Sequence, residues 1–380
     1  MNGRNGQPLD LFVVGGGING AGIACDAAGR SLKVGLCEMN DFASATSSKA
    51  TKLIHGGLRY LEHYEFRLVR EALMEREVLL AKAPHISWPL RFVLPHEPHL
   101  RPRWMLRIGL FLYDHLDRHM TLPKSEAVDL PTSKFGRGLK KSFKKGFVYS
   151  DGWVDDARLV ICNLKSARAM GAEIYARHRC VSARRSADGK LWEIELEGRN
   201  GEKVSLTARG LVNAAGPWAA EVARMAGVDI PVRGAPLQMI VTEPVAPTLS
   251  RLVAYAGRHL TLKQASSGAF MIGGGWTAGL DAQEKLSRAL RPSVEGNLWI
   301  AQRAVPALAG LHAVRIWAGM NVNIDRAPIL GEVPGLPGFY NCVSSNGYTL
   351  APVLGRLTAE MIAGRSPSIA VEPYSLRRFG

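Results

Sequence analysis

The sequence predicts a mixed chain of α/β (α+β) class in two parts, one built on parallel strands with crossover helices, the other on a mainly antiparallel sheet. Three observations carry this. A buried-strand run, Leu9-Asp10-Leu11-Phe12-Val13-Val14, passes through a glycine-rich turn straight into a small-residue helix. Strand-like runs at Gln238–Thr242, His259–Lys263 and Ala269–Gly273 are separated by turn residues, as in a hairpin-connected sheet. The chain has 380 residues, which at roughly 150 residues per domain suggests about two domains.

The first element is the most informative. Gly15-Gly16-Gly17-Ile18-Asn19-Gly20 follows the strand and leads into Ala21–Ala28, which Gly29-Arg30 ends. Lys33-Val34-Gly35-Leu36-Cys37 reads as the second strand, with Glu38 at its tip. Gly15, Gly17 and Gly20 thus form G-x-G-x-x-G in its strand–turn–helix context. Gly15 makes the turn, Gly17 lets the backbone approach a pyrophosphate, and Gly20 lets helix and strand pack closely. The pyrophosphate then meets the free N–H groups of the helix start, at Ile18 and Asn19. Glu38 is placed to accept from a ribose hydroxyl. This is a Rossmann-like dinucleotide-binding domain.

The next segment points to FAD rather than NAD. Asp41-Phe42-Ala43-Ser44-Ala45-Thr46-Ser47-Ser48 is a polar loop of small hydroxylated residues where NAD enzymes start another helix. Ser44, Thr46, Ser47 and Ser48 can lie along the flavin side of a long cofactor, followed by Lys52, His55, Gly56 and Gly57. Downstream, Gly210–Asn213 reads as a strand ending in Ala214, Ala215, Gly216 and Trp218, small enough at its tip for backbone to pack against a cofactor. A third cluster, from Gly319 to Gly331 and through Asn346, Gly347, Tyr348 and Thr349, precedes a closing helix at Ala351–Ala363. Amides at that helix start stabilise negative charge on a reduced flavin.

Composition bounds the rest. The chain is 47% hydrophobic and 21% charged, which excludes disordered and collagen-like classes. There is no run of about 18 apolar residues and no signal-type apolar leader, so the expectation is a cytoplasmic chain. The net charge of +15 attracts anions. Its densest patch, Lys140-Lys141-Ser142-Phe143-Lys144-Lys145, has one aromatic and no accompanying nucleic-acid motif, so no nucleic-acid partner is expected. A solvated loop is one reading. Contact with the inner face of a membrane through residues 104–145, with Trp104–Tyr113 as the apolar part, is the other. Five scattered cysteines show no C-x-x-C pair and no metal-ligand spacing, and read as reduced thiols with no metal.

Over essentially its whole length the chain resembles the FAD-dependent D-amino acid oxidase superfamily. Residues 1–220 resemble the FAD-dependent glycerol-3-phosphate dehydrogenases through GGGINGAGIACDAAGR, DFASATSSKATKLIHGGLRYLEHYEFRLVREAL, RIGLFLYDHL, YSDGWVDDARLV and RGLVNAAGPW. Residues 221–380 are more similar to proline and hydroxyproline dehydrogenases, opine oxidases and sarcosine oxidase β-type flavoproteins. PLQMIVTEP, LKQASSGAFMIGGGW, WAGMNVNIDRAPILGEVPGLPGFYN and SNGYTLAPVLGRLTAEMI carry that likeness. The resemblance implies a discontinuous FAD domain at 1–85, 150–225 and 310–380, and a substrate domain at 86–149 and 226–309. It adds Val181, Gly319 and Asp325 to the expected cofactor contacts.

It also implies the reacting groups. Arg59 and Tyr60 match substrate-site positions of the glycerol-3-phosphate dehydrogenases. That family's phosphate-binding arginine is replaced in Gly319-Met320-Asn321-Val322, its lysine near Gly347-Tyr348-Thr349, and its substrate histidine around Gln238. Its C-terminal helical domain is not expected here. Gln238 and Asn321 then join the site. Lys263, Arg258, Arg315 and Arg59 remain as anion anchors. His55 beside the flavin reads as a flavin contact, a proton acceptor, or a backbone-bonded structural histidine. Tyr348 packs over the flavin or touches substrate. Asp155 and Asp156 read as acids at a helix start. Flavin chemistry moves a hydride equivalent from a substrate carbon to N5. The expected substrate is a small amino or imino acid. The alternatives are glycerol 3-phosphate with a membrane quinone as acceptor, or a flavoprotein subunit that needs a partner protein. O2 is the third possible acceptor.

Overall fold

A computed structural model describes residues 7–58, 61, 64–117, 120–281, 287–345 and 347–380. The chain forms two compact units: unit 1 comprises residues 1–48, 155–235 and 320–380, and unit 2 residues 49–154 and 236–319.

In unit 1 the predicted strand–helix–strand opening is present as β1 (Leu9–Val14), α1 (Ile18–Gly29) and β2 (Val34–Glu38), followed by the short α2 (Thr46–Lys49) at its edge. Between them unit 2 supplies β3 (Leu53–Ile54), α3 (Phe66–Lys82), β4 (Ser87–His96), α4 (Arg103–His115), β5 (Glu126–Asp129) and β6 (Lys145–Val154). Unit 1 resumes with α5 (Asp156–Ala169), β7 (Glu173–Ala176), β8 (His178–Arg185), β9 (Trp192–Gly198), β10 (Lys203–Asn213) and α6 (Ala219–Met225). Then come β11 (Arg233–Pro244), β12 (Leu252–Tyr255), β13 (Leu260–Gln264), β14 (Ala269–Gly273), β15 (Gly279–Leu280), β16 (Ser287–Arg288), α7 (Arg291–Ala304) and β17 (Ala313–Asn323). The chain closes with β18 (Ile329–Glu332), β19 (Phe339–Val343) and α8 (Gly347–Ile362).

The sheet of unit 1 runs β18-β19-β10-β1-β2-β7, with β9 and β8 branching from β10. From β19 to β7 the pairings are parallel, with Leu11 opposite Gly210 on one side and Val34 on the other. Leu11–Val14 are buried on both faces of the sheet, which is why this part of β1 is continuously apolar instead of alternating. Its core gathers Phe12, Leu211, Trp192 and Phe339, the last two with rings 5.4 Å apart. Asp156 stands in the first turn of α5, the helix-start reading.

The second sheet runs β17-β11-β14-β13-β12-β4-β6-β3, with β5 on β6; from β11 to β3 its neighbours are antiparallel except where β12 meets β4. Trp88 on β4 lies opposite Trp153 on β6, their rings 5.8 Å apart. Residues 49–85, expected with the cofactor domain, cluster with unit 2, because β3 pairs with β6 through Leu53 and Ile54 and α3 packs on β4 and β6. Among the described residues no helix is long and apolar enough to cross a membrane, and the five cysteines are unbridged thiols.

Candidate functional site

In unit 1 the turn after β1 is shaped by its glycines. Gly15 has φ +119°, and a side chain there would lie 2.5 Å from Ala214 O. A Cβ on Gly20 would sit 1.9 Å from Gly15 O, so α1 can follow β1 this closely only with glycine. At Gly17, the N-cap of α1, the nearest neighbour to a Cβ is Ser47 Oγ at 3.2 Å. That hydroxyl accepts from Ile18 N–H at 3.0 Å, tying the loop from 44–48 to the helix start. Glu38 closes the turn from the other side, its carboxylate accepting from Gly16 N–H at 2.8 Å and Asn40 N–H at 2.9 Å. Burial raises its pKa, and those two N–H groups work against the rise.

Further elements converge on this turn. Ala214 N–H donates to Val14 O at 3.0 Å, and Ala215, Gly216 and Trp218 follow in a short turn of helix. Tyr348 on α8 is buried, and its hydroxyl donates to Ser47 O. Burial lifts its pKa far above the phenolic range, so this hydroxyl serves as a tie between α8 and α2. Thr46 Oγ1 donates to Met320 O, next to half-buried Asn321. Thr349 is fully buried. Ser44 and Ser48 sit in local turns through their N–H groups to Asp41 O and Ala45 O. Asn346 lies outside the described residues.

Two further residues expected at the cofactor have these surroundings. Asp325 is gripped by Arg378, Nε to Oδ2 at 2.8 Å and Nη2 to Oδ1 at 2.9 Å, a fork that holds its carboxyl below the usual range. Val181 has its side chain exposed beside a bulge in β8. Asn213 went unnoticed in the sequence. At the end of β10 its Nδ2 donates to Ala219 O at 2.8 Å and to Asn341 Oδ1 at 3.0 Å, clamping β10 to β19 beneath the turn. A carboxamide inside the apolar run Leu211-Val212-Asn213-Ala214 was the available signal.

The fit of this turn to a dinucleotide rests on one further atom. Asn19, in the first turn of α1, is 8% exposed, and its Oδ1 has no hydrogen-bond partner. An orphaned buried acceptor at a helix N-terminus, beside a glycine that leaves the backbone open, suits a ligand with both phosphate and hydroxyl groups.

Unit 2 carries the remaining expected residues. His55 follows β3. Burial pulls its pKa below 6.5, while Asp151 works to raise it, so the imidazole stands neutral. Gly56 N–H donates to the Tyr113 hydroxyl at 2.9 Å and to Asp151 Oδ1 at 3.3 Å. A Cβ at Gly56 would fall 2.4 Å from Leu73 Cδ2, so the loop fits only with glycine there. Tyr113 donates to Asp151, and fully buried Arg76 donates to the same carboxylate at 2.8 Å. Gly57, with φ +74°, turns the chain away.

Lys263, expected as an anion anchor, is 3% exposed and acts as a brace. Its ammonium donates to Thr51 O at 2.7 Å and Lys52 O at 3.0 Å, and lies 3.6 Å from the centre of the Trp153 ring. The loop it holds carries Lys52 at φ +56°. Gln238 is buried, its Oε1 accepting from Leu290 N–H at 3.0 Å while Nε2 has no partner. Arg315 and Arg258 are exposed, Arg315 beside the Trp317 ring. Gly319 abuts Lys49, where a Cβ would meet Lys49 Cβ at 2.7 Å. Arg59 and Tyr60 lie outside the described residues.

A family model for FAD dependent oxidoreductases, named DAO, matches residues 10–361. The chain is similar to the glycerol-3-phosphate dehydrogenase of Pseudomonas aeruginosa, 64% identical over 214 residues, which is 56% of this chain and 41% of that protein. It is similar to the D-erythritol 1-phosphate dehydrogenase of Brucella abortus, 58% identical over 217 residues, 57% of this chain and 43% of that protein. The chain thus spans less than half the length of these curated relatives. Its fold is like that of L-proline dehydrogenase from P. horikoshii, with a TM-score of 0.79 at 20% identity and 98% of each chain covered. With nearly the whole chain matched by the family model, and a glycine turn that fits a dinucleotide, the chain belongs to the DAO family of FAD-dependent oxidoreductases.

Proposed function

We propose that this enzyme oxidises a secondary hydroxyl of a small polyol phosphate, with glycerol 3-phosphate as the first substrate to try. The carrying observation is the identity of 58–64% over more than half the chain to dehydrogenases named for phosphorylated polyols. The expected amino- or imino-acid substrate gives way to it, since the likeness to L-proline dehydrogenase stands at 20% identity and speaks for the fold.

FAD, when bound, takes up the hydride equivalent from the substrate carbon. The chain's part is to hold the cofactor and move the proton. Gly15, Gly17, Gly20 and the N–H groups of α1 that follow Ile18, whose own N–H is taken by Ser47, hold the pyrophosphate, and Glu38 a ribose. In unit 2 the neutral imidazole of His55 is the group suited to accept the hydroxyl proton, since burial keeps it deprotonated at neutral pH. Arg59 with Tyr60 is the proposed phosphate anchor.

The proposed electron acceptor is a membrane quinone, reached from a membrane surface. On α4, Trp104, Ile108 and Phe111 recur at helical spacing and are 62%, 51% and 52% exposed, while Leu110 and Tyr113 face inward. An apolar stripe open to solvent, with Arg101, Arg103 and the Lys140–Lys145 run in the same unit, has the chemistry of an interfacial helix on anionic lipid.

Anaerobic flavin bleaching tests the substrate. Glycerol 3-phosphate and erythritol phosphate are expected to bleach the yellow protein, and proline, hydroxyproline and sarcosine to leave it oxidised. Bleaching by an imino or amino acid alone would overturn the reading.

A further inference from the structure

A cleft lies wholly within unit 2, between the strand-edge segment around Arg91, the 133–137 turn and the 247–251 loop, with a volume of about 870 Å³. Four cationic side chains line it: Arg91, Lys134, Arg137 and Arg251. Arg91 is neutralised. Its Nη2 pairs with Glu126 Oε1 at 2.8 Å, and its Nη1 donates to Pro123 O, Lys124 O and Ser150 Oγ. Among the described residues, none of the other three has a carboxylate within ion-pair distance.

Arg251 is the unusual member. It is 3% exposed, its Nη2 donates to the Arg137 backbone carbonyl, and its Nε has no partner. A guanidinium so removed from water is ordinarily found against a carboxylate or phosphate, because burying a charge without a counter-ion is costly. Desolvation pulls its pKa down to about 10, still charged at neutral pH. Phe135 forms an aromatic floor, with Lys134 Nζ 5.3 Å and the Arg91 guanidinium 5.6 Å from its ring centre.

We propose that this cleft binds a phosphate-bearing anion, with Arg251, Lys134 and Arg137 on the phosphate and Phe135 against the uncharged part of the ligand. The planar donors of two arginines match the oxygens of a phosphate. The volume takes a small phosphorylated metabolite or one phospholipid head group. Arg91 and Glu126 form the wall, and Arg251 is the preset buried charge that the ligand completes. The inference does not rest on the proposed substrate.

The test is hydrogen exchange by mass spectrometry on the FAD-loaded chain, read over residues 131–139 and 247–252. Inorganic pyrophosphate, at an ionic strength matched with chloride, is expected to slow exchange in both segments. Lys134→Ala/Arg137→Ala, at exposed positions that leave the core intact, is expected to weaken that response by about tenfold or more in midpoint concentration. Vesicles of phosphatidylglycerol in phosphatidylcholine, compared with phosphatidylcholine alone, separate the sources. Protection by pyrophosphate assigns a soluble phosphate, and protection by the anionic vesicles alone, lost in the double variant, assigns a head-group phosphate. Protection by neither, or protection unchanged in the double variant, overturns the proposal.

Discussion

Arg76 Nη1 lies 2.8 Å from Asp151 Oδ1, with both side chains out of solvent. The same carboxylate receives the Tyr113 hydroxyl and Gly56 N–H, so one buried ion pair fixes the loop that carries His55. Burial alone would lower the Arg76 pKa, but Asp151 more than offsets it and leaves it raised. Removing the acid in Asp151→Ala takes one of two carboxylates from a fully buried guanidinium, which keeps Glu77 Oε1 at 2.9 Å and the Ser150 carbonyl at 3.0 Å, and leaves the Tyr113 hydroxyl without its acceptor. The expected cost is about 2–3 kcal/mol of unfolding free energy, since Glu77 still compensates the charge. Urea unfolding of Asp151→Ala, Arg76→Met and the double variant measures it. A loss below about 1 kcal/mol for Asp151→Ala would put the pair in the class of exposed ion pairs and sink the assignment.

The glycine turn makes a graded prediction. Gly20→Ala drives a methyl to 1.9 Å from Gly15 O, a backbone atom with nowhere to move, so this variant is expected to fold poorly and retain almost no flavin. Gly17→Ala meets only the Ser47 hydroxyl at 3.2 Å and is expected to fold near the wild-type melting temperature while losing much of its FAD. Flavin absorbance per mole of protein, beside a melting curve, separates the two. Full flavin retention in Gly17→Ala would argue against the pyrophosphate approaching there.

For α4, Trp104→Glu/Phe111→Glu is expected to abolish flotation with anionic vesicles and to change the melting temperature little, because both side chains are already in water. Wild-type binding is expected to fall as salt rises, through screening of the basic residues. Equal flotation of wild type and variant would remove α4 as the contact.

How much of this was legible depended on whether a signal was local. Leu9–Glu38 could be read residue by residue because strand, turn, helix and acid all lie within one stretch, and the order observed is the order expected. The strands at Gln238, Leu260 and Ala269 were visible for the same reason. The role of a polar side chain was not, since it is decided by partners far away in sequence. Lys263 reads as a free cation until Thr51 and Lys52 offer their carbonyls. Asp325 meets its partner, Arg378, 53 residues on. Asp151, in the strand run Val148-Tyr149-Ser150-Asp151, gives no hint that Arg76 lies 75 residues back. The division of the chain suffers likewise, for β3 looks like part of the flavin loop until its pairing with β6 is known.

The last prediction concerns pH. His55 titrates below its ordinary 6.5 in the folded chain, first because it is buried, with Asp151 acting the other way. Above 6.5 the imidazole is neutral in both folded and unfolded states and contributes no pH dependence. As pH falls through 6.5 the unfolded chain takes up a proton that the folded chain refuses. The unfolded state then binds more protons, and stability drops with falling pH until the folded pKa is reached. The limiting slope for one group is about 1.4 kcal/mol per pH unit. His55→Gln removes this contribution, so the stability advantage of wild type over variant is expected to shrink between about one unit above and one unit below 6.5. Denaturant unfolding of both proteins at the two pH values isolates the residue, since the other titrating groups cancel in the difference. A constant difference would mean that His55 keeps an ordinary pKa, and the proposed proton acceptor would lose its basis for standing neutral.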